Sequence, residues 1–306
     1  MKMYLGLTKR NMMVFLKDRQ AILFSLLTSI IVFALYLLFL RNTFIDAINS
    51  ALAEAPMIRE LIMDEDLNMF TNIKLLVGII GSTAITVPFS CLTTVTRDRE
   101  NRVDQDILAT PVRRWQIILA YFTASSLCAI LMTSVIMTVG LVILQQFGNL
   151  YISVPGILKA YGVTALGCVS STALFMNIVL LFRSSSASAA FFGILSAVSG
   201  FVIGAYIPVS QFSGGVRTVC NLFPASHITI LLRNVLLGGV LGHIDSGIGG
   251  LDQGEFVQVL KDVFTFKADM FGSSLNTTAM TSFVLAILTL SLIVMVYTYS
   301  KNYKKK

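Results

Sequence analysis

Charged side chains are scarce in this sequence. Of its 306 residues only 13% are Asp, Glu, Lys or Arg, while 55% are hydrophobic and the mean hydropathy is +0.79. A soluble domain carries about 25% charged residues, so this chain cannot cover itself against water, and lipid must replace the missing polar exterior. The 16 acidic residues all fall outside the long apolar runs. Proton- or sodium-coupled transport normally leaves a carboxylate within the membrane, and its absence argues against that class. There is no G-x-x-x-x-G-K-[ST] loop to hold a nucleotide and no nucleophile–base–acid constellation. The two histidines, His227 and His243, stand apart, and Cys91, Cys128, Cys168 and Cys220 are spaced neither as a disulfide framework nor as a metal site. They read as small packing residues. The net charge of +7 does not imply nucleic acid, because the bases cluster at the ends of apolar runs without interleaved stacking aromatics.

The sequence does contain apolar runs long enough to cross a bilayer, about 20 residues each. Six are assigned as spans: 21–40, 75–95, 116–144, 160–182, 187–207 and 278–299. Pro88 predicts a kink in the second. The run at 21–40 lacks a small-residue cleavage site and reads as a signal-anchor span. Ahead of it, residues 1–19 project as an amphipathic helix, with Lys2, Lys9, Arg10 and Lys17 on one stripe and Met3, Tyr4, Leu7, Val14 and Phe15 opposite. That pattern suits a helix lying in the headgroup layer, or a positively flanked span start. The fold class is therefore all-α and polytopic.

Orientation follows from the bases. With the N-terminus inside, 15 of the 23 Lys and Arg fall in the inner segments and 8 in the outer ones, the bias that fixes topology. Two sizeable outer segments result, 41–74 and 208–277. The first holds the acidic run Asp64-Glu65-Asp66. The second contains an apolar stretch, 219–241, interrupted by Pro224 and Arg233. Those residues are costly in a lone lipid-facing helix, so a broken re-entrant hairpin is predicted there, with Phe223, Pro224 and Arg233 as an external gate. Glycines at 242–254 predict a flexible external loop. Small residues at four-residue spacing on the fifth span, Ala189, Gly193 and Ala197 with Gly200 and Gly204, predict close helix packing, within the subunit or across a dimer.

The most informative segment is the charged block at 96–115. Arg97, Asp98, Arg99, Glu100 and Arg102 are followed by Asp104, Asp106 and Leu108, then by Thr110 and Pro111. Residues 104–109 predict a short helix parallel to the membrane, and Thr110 with Pro111 predicts the start of the third span. A solvated loop without a partner is the alternative.

In order and topology these features resemble the permease subunit of type-2 ABC exporters over nearly the whole chain. The resemblance rests on the basic N-terminal helix, the block at 97–102, Ile107-Leu108, Thr110-Pro111-Val112, and Leu222-Phe223-Pro224-Ala225-Ser226 followed by Leu232-Arg233. Asn101-Arg102-Val103 departs from the Gly-Thr step of many relatives. The resemblance implies a transport subunit with no catalytic site or cofactor of its own. Two copies of a separate ABC-type ATPase would carry ATP and magnesium, and a second permease subunit would complete a homodimer. Arg97, Asp98, Arg99, Glu100, Arg102, Asp104, Leu108, Thr110 and Pro111 would then couple to the ATPase. It further implies a bacterial plasma membrane, both termini cytoplasmic, and export of a hydrophobic or amphipathic drug, antibiotic peptide or lipid. Export of a lipid-linked glycan, secondary transport and a non-transporting sensor role remain as alternatives.

Overall fold

The computed structural model describes residues 2–35, 44–46, 48, 61–249 and 252–302. Among these the backbone is overwhelmingly helical, as a bilayer requires of chain that must satisfy its own peptide groups. Helices α1 (Lys2–Lys17) and α2 (Arg19–Leu35) are bent 71° to one another. They are followed by α3 (Asp64–Glu100), the short α4 (Val103–Ala109), α5 (Arg114–Gln145), α6 (Val154–Val179) and α7 (Ser185–Val202). Then come α8 (Gly214–Asn221), α9 (Pro224–Ile248) and α10 (Glu255–Val263). A small antiparallel hairpin of β1 (Ala268–Met270) and β2 (Ser273–Leu275) leads into α11 (Thr277–Asn302).

Among the described residues six single helices are long and apolar enough to cross a membrane, α3, α5, α6, α7, α9 and α11, and the bent pair α1–α2 taken together would be a seventh. Five match the sequence assignment. The first assigned span, 21–40, lies partly outside the described residues, and α9 is the sixth by length and composition. Inside the stretch predicted to break, the interruption falls earlier than expected. Pro224 occupies the first turn of α9, where its missing N–H costs nothing, and the helix continues unbroken to Ile248, with Gly249 in the left-handed conformation that closes it (φ 69°). Part of the glycine-rich loop predicted at 242–254 is therefore helix.

Helix α3 is also longer than its apolar run. It starts at Asp64, where three acids in the first turn suit the positive end of the helix dipole, and passes through Pro88 without a break. At 37 residues it is about 55 Å long. Serines start its neighbours: Ser153 Oγ accepts from Gly156 N at 3.2 Å and Ser184 Oγ from Ala187 N at 3.2 Å, the usual N-cap geometry.

Helix α3 is the centre of the bundle. Near its Glu100 end Phe89 packs edge-on to Phe175 (5.7 Å between centroids) and stacks on Phe192 (5.9 Å). Toward its Asp64 end a second core joins Phe70, Ile73 and Ile80 to Leu236, Leu237, Val240 and Phe264. On another face of α3, Cys91, Cys128 and Cys168, far apart in sequence, share one cluster with Phe15 as free thiols.

The pairing of α3 with α9 fixes their register. Gly81 faces Thr229, and Asp66 bonds His243 Nδ1 at 3.1 Å, so the helices run antiparallel. Pro224 therefore begins α9 roughly 20 Å short of the Glu100 end at 1.5 Å per residue. Tyr151, with φ 50°, stacks on His243 at 4.1 Å, and its carbonyl presses on Gly239. A Cβ at Gly239 would lie 1.8 Å from that oxygen, whereas one at Gly238 would meet nothing within 4 Å. Gly239→Ala is expected to destabilise by about 1–3 kcal/mol, and Gly238→Ala to be neutral or stabilising by up to about 1 kcal/mol. Thermal unfolding of the two variants in the same detergent checks this. Equal melting temperatures would refute the close approach.

Candidate functional site

The last turn of α3 carries Arg97, Asp98, Arg99 and Glu100. Successive residues on a helix point about 100° apart, so four in a row reach in nearly every direction, and each here has a different partner. Arg97 Nη1 pairs with Asp18 at the α1–α2 bend, at 2.8 Å and largely in solvent. Asp98, only 5% exposed, takes both terminal nitrogens of Arg10 on α1, Nη2 at 2.8 Å from Oδ1, and accepts the Tyr121 hydroxyl of α5 at 2.5 Å. Arg99 Nη1 donates to the carbonyls of Leu180 (3.0 Å) and Phe182 (2.5 Å) at the end of α6. Glu100 Oε2 accepts from Ser185 N at 3.1 Å at the start of α7.

The signs are matched to the backbone. A helix C-terminus attracts a cation and an N-terminus an anion, and adjacent residues of α3 supply one of each to the two helix ends of a single connection. The result is a knot joining α1, α3, α5, α6 and α7. Tyr4 Oη to Thr123 Oγ1 at 2.6 Å adds a second tie between α1 and α5. The N-terminal helix thus packs Thr8, Asn11 and Phe15 into the protein while Met3, Leu5 and Met13 stay exposed. Arg10, assigned from sequence to a basic outward stripe, points inward to Asp98.

Below the knot the chain reverses at Arg102, held at φ 60°, and forms α4 where a short helix was predicted. Ile107 is buried and Leu108 packs against the same apolar cluster. Arg102, Gln105, Asp106 and Ala109 are exposed on the opposite side. Burial pushes the Asp104 carboxyl above its usual range. Thr110 does not open the next helix as predicted. Its hydroxyl bonds Ile107 O at 2.6 Å and closes α4, Pro111 sits in an extended link, and α5 begins at Arg114 with Arg113 N bonded to Gln116 Oε1 at 3.2 Å. Of the nine predicted coupling residues, Arg102, Thr110 and Pro111 are exposed together, while Asp98, Arg99 and Glu100 are engaged with neighbouring helices.

Of the predicted gate residues, Phe223 packs against the same apolar cluster as Ile107, and Arg233 lies further toward the Asp64 end of α3. Arg233 is 2% exposed and donates through Nη1 to the carbonyls of Phe264 (2.6 Å) and Thr265. Asn234 Nδ2 holds Phe266 O at 2.9 Å, and Ser210 Oγ holds Val263 O at 2.6 Å. Arg233 is thus an anchor for the turn after α10. Phe223 and Pro224 form the corner between α8 and α9, where His227 Nε2 meets Asn221 O at 2.6 Å. Lys74, missed in the sequence, is buried with its ammonium over the rings of Phe44 (3.1 Å) and Phe264 (4.4 Å), a cation–π arrangement.

The small-residue stripe divides in two. A Cβ at Gly200 would meet the Tyr206 ring at 2.3 Å, and Gly204 makes a left-handed turn (φ 68°), so both serve packing within the chain. Ala189, Gly193 and Ala197 instead line an open apolar groove of about 740 Å³ against Phe24, Leu27 and Ile31 of α2.

A bundle of membrane-length helices gathered at one end by a charged knot, with a short helix beneath it, is the architecture of an all-α polytopic membrane protein. The family model described as "ABC-2 family transporter protein" matches residues 40–299, and the chain belongs to that family. It is an ABC transporter permease, a multi-pass membrane protein that partners an ABC ATPase subunit. No curated protein matches the chain.

The knot generates a test. Asp98→Asn, or Arg10→Gln, is expected to loosen α1 by about 1–3 kcal/mol. This is less than for a fully buried pair, because Arg10 is one-third exposed. Hydrogen exchange across residues 2–17 should accelerate in each single variant, and the double variant should be little worse than either. Additive effects would show that the two residues do not act on each other.

Proposed function

We propose that this chain is the membrane half of an ATP-driven exporter, working as a homodimer with two copies of its ATPase and moving a hydrophobic or amphipathic molecule out across the plasma membrane. Both termini are cytoplasmic in this reading, and the Glu100 end of α3 is the inner end. The observation that carries it is the knot itself. Because Arg97 to Glu100 bind four separate partners, displacement of α4 and the link after it is transmitted to several spans at once. The ATPase docks on the exposed face made by Arg102, Gln105, Asp106, Thr110 and Pro111, with Leu108 and Ile107 seating that face on the bundle. Asp98, Arg99 and Glu100 stiffen it from behind.

The family match and the positive-inside bias support the orientation, and the register of α9 supports re-entry. Starting about 20 Å above the inner end, α9 lies within a hydrocarbon core of about 30 Å only for its first turns, and its remainder stands outside. The corner at Phe223 and Pro224 then lies at membrane depth and acts as the external gate, with Arg233 as its fixed anchor. The open groove between α2 and α7 receives the second protomer and borders the cargo path, which suits an apolar cargo.

Two outcomes test this reading. Arg102→Glu combined with Asp106→Lys, both on exposed positions, should abolish co-purification of the ATPase with normal membrane insertion. Wild-type recovery of the complex and wild-type export would place docking elsewhere. Leu222→Cys, beside the corner and exposed, should cross-link between protomers and stop export while the ATPase stays bound. Export that continues after complete cross-linking rules out the gate.

A further inference from the structure

Between α9, α10 and the start of α11 lies a cleft that neither docking nor gating uses. It has two adjoining chambers of about 240 and 230 Å³ that share Asn234, Lys261 and Phe266. Its floor is pre-formed, because Asn234 and the buried Arg233 hold three consecutive carbonyls of the turn at Phe264, Thr265 and Phe266. Lys261 and Lys267 both line the larger chamber, and among the described residues neither forms an ion pair. Two acids are near. Asp262 accepts the amide of Gln258 at 3.0 Å, and Asp245 lines only the smaller chamber. The larger chamber therefore keeps a net positive charge.

The same chamber has an apolar side. Leu275 and Met280 flank Asn276 and Thr277, where α11 begins with no acid in its first turn. Cationic and amide groups thus adjoin an apolar wall at the point where a membrane-length helix starts, so the cleft suits a ligand with an anionic head and an apolar body. Lysine ammoniums recognise phosphate as point charges, and bases near a bilayer surface attract anionic lipid.

We propose that this cleft binds the phosphate headgroup of an anionic lipid of the outer leaflet, with the acyl portion leaving past Leu275 along α11. The assignment to the outer leaflet rests on the orientation given above. Lipid binding itself does not depend on it.

The test uses the purified full chain in detergent, with phosphatidylglycerol, phosphatidylcholine or inorganic phosphate added, read by native mass spectrometry and thermal shift. Phosphatidylglycerol should be retained and should raise the melting temperature. In Lys261→Gln/Lys267→Gln its affinity should fall about 25-fold, from about fivefold per lysine. Lys159→Gln, an exposed lysine elsewhere, should change nothing, and Lys261→Gln alone should show an intermediate loss in a chain that still elutes as folded protein. Equal affinity in the double variant and the parent overturns the proposal. Displacement of the lipid by inorganic phosphate at comparable concentration would make it a simple anion site and overturn the lipid assignment. Labelling of Lys267→Cys in sealed cells checks the leaflet separately. Labelling only after the membrane is opened would refute the orientation while leaving the measured lipid affinity intact.

Discussion

A carboxylate buried as deeply as Asp98 has to be neutralised, because the cost of desolvating a charge is several kcal/mol unless a partner and further hydrogen bonds replace the lost water. Arg10 and Tyr121 are that replacement. The requirement reaches further than the triad. It fixes where α1 must lie against α3 and α5, while at the 71° bend into α2 Asp18 caps Ala21 N and pairs with Arg97. With Asp98 fixed, its neighbours Arg99 and Glu100 come to face the end of α6 and the start of α7. One unavoidable ion pair thus determines how the bundle closes at that end.

Much of the architecture was readable because a membrane reduces the possibilities. Apolar runs at 116–144, 160–182, 187–207 and 278–299 became helices with limits near those ranges. Helix length was less readable where polar residues continue a helix beyond the lipid. Residues 64–74 are too polar to read as a span, and their helix is signalled only by Leu67, Phe70 and Ile73 at helical spacing and by the acids at 64–66, read as helix-start charges. Capping chemistry also misled. Thr110 before Pro111 has the composition of a helix start, yet its hydroxyl is used by the preceding turn, a competition that composition does not resolve.

The charged block shows the same limit within the candidate site. Its four residues of similar polarity at the end of α3 divide between solvent and interior. A signal was present: continuing the helical period from Val87, Cys91 and Thr94 puts Asp98 on the buried face. For Arg233 the sequence showed a costly cation without saying what accepts it, and for Lys74 it gave no sign of burial. The answers, two carbonyls of one turn and two phenyl rings, come from chain some 30 residues or more away. Long-range partners of this kind leave no local pattern.

Helix α3 also has a mechanical property that none of its contacts alone conveys. It is a single rod of 37 residues, about 55 Å, with the charged knot at one tip and the pairing to His243 at the other. A rod tilted by about 5° about one end moves its far end by about 5 Å, close to one helical turn. A rotation at the knot would therefore reach the far tip as a sideways displacement larger than the reach of a hydrogen bond such as that between Asp66 and His243.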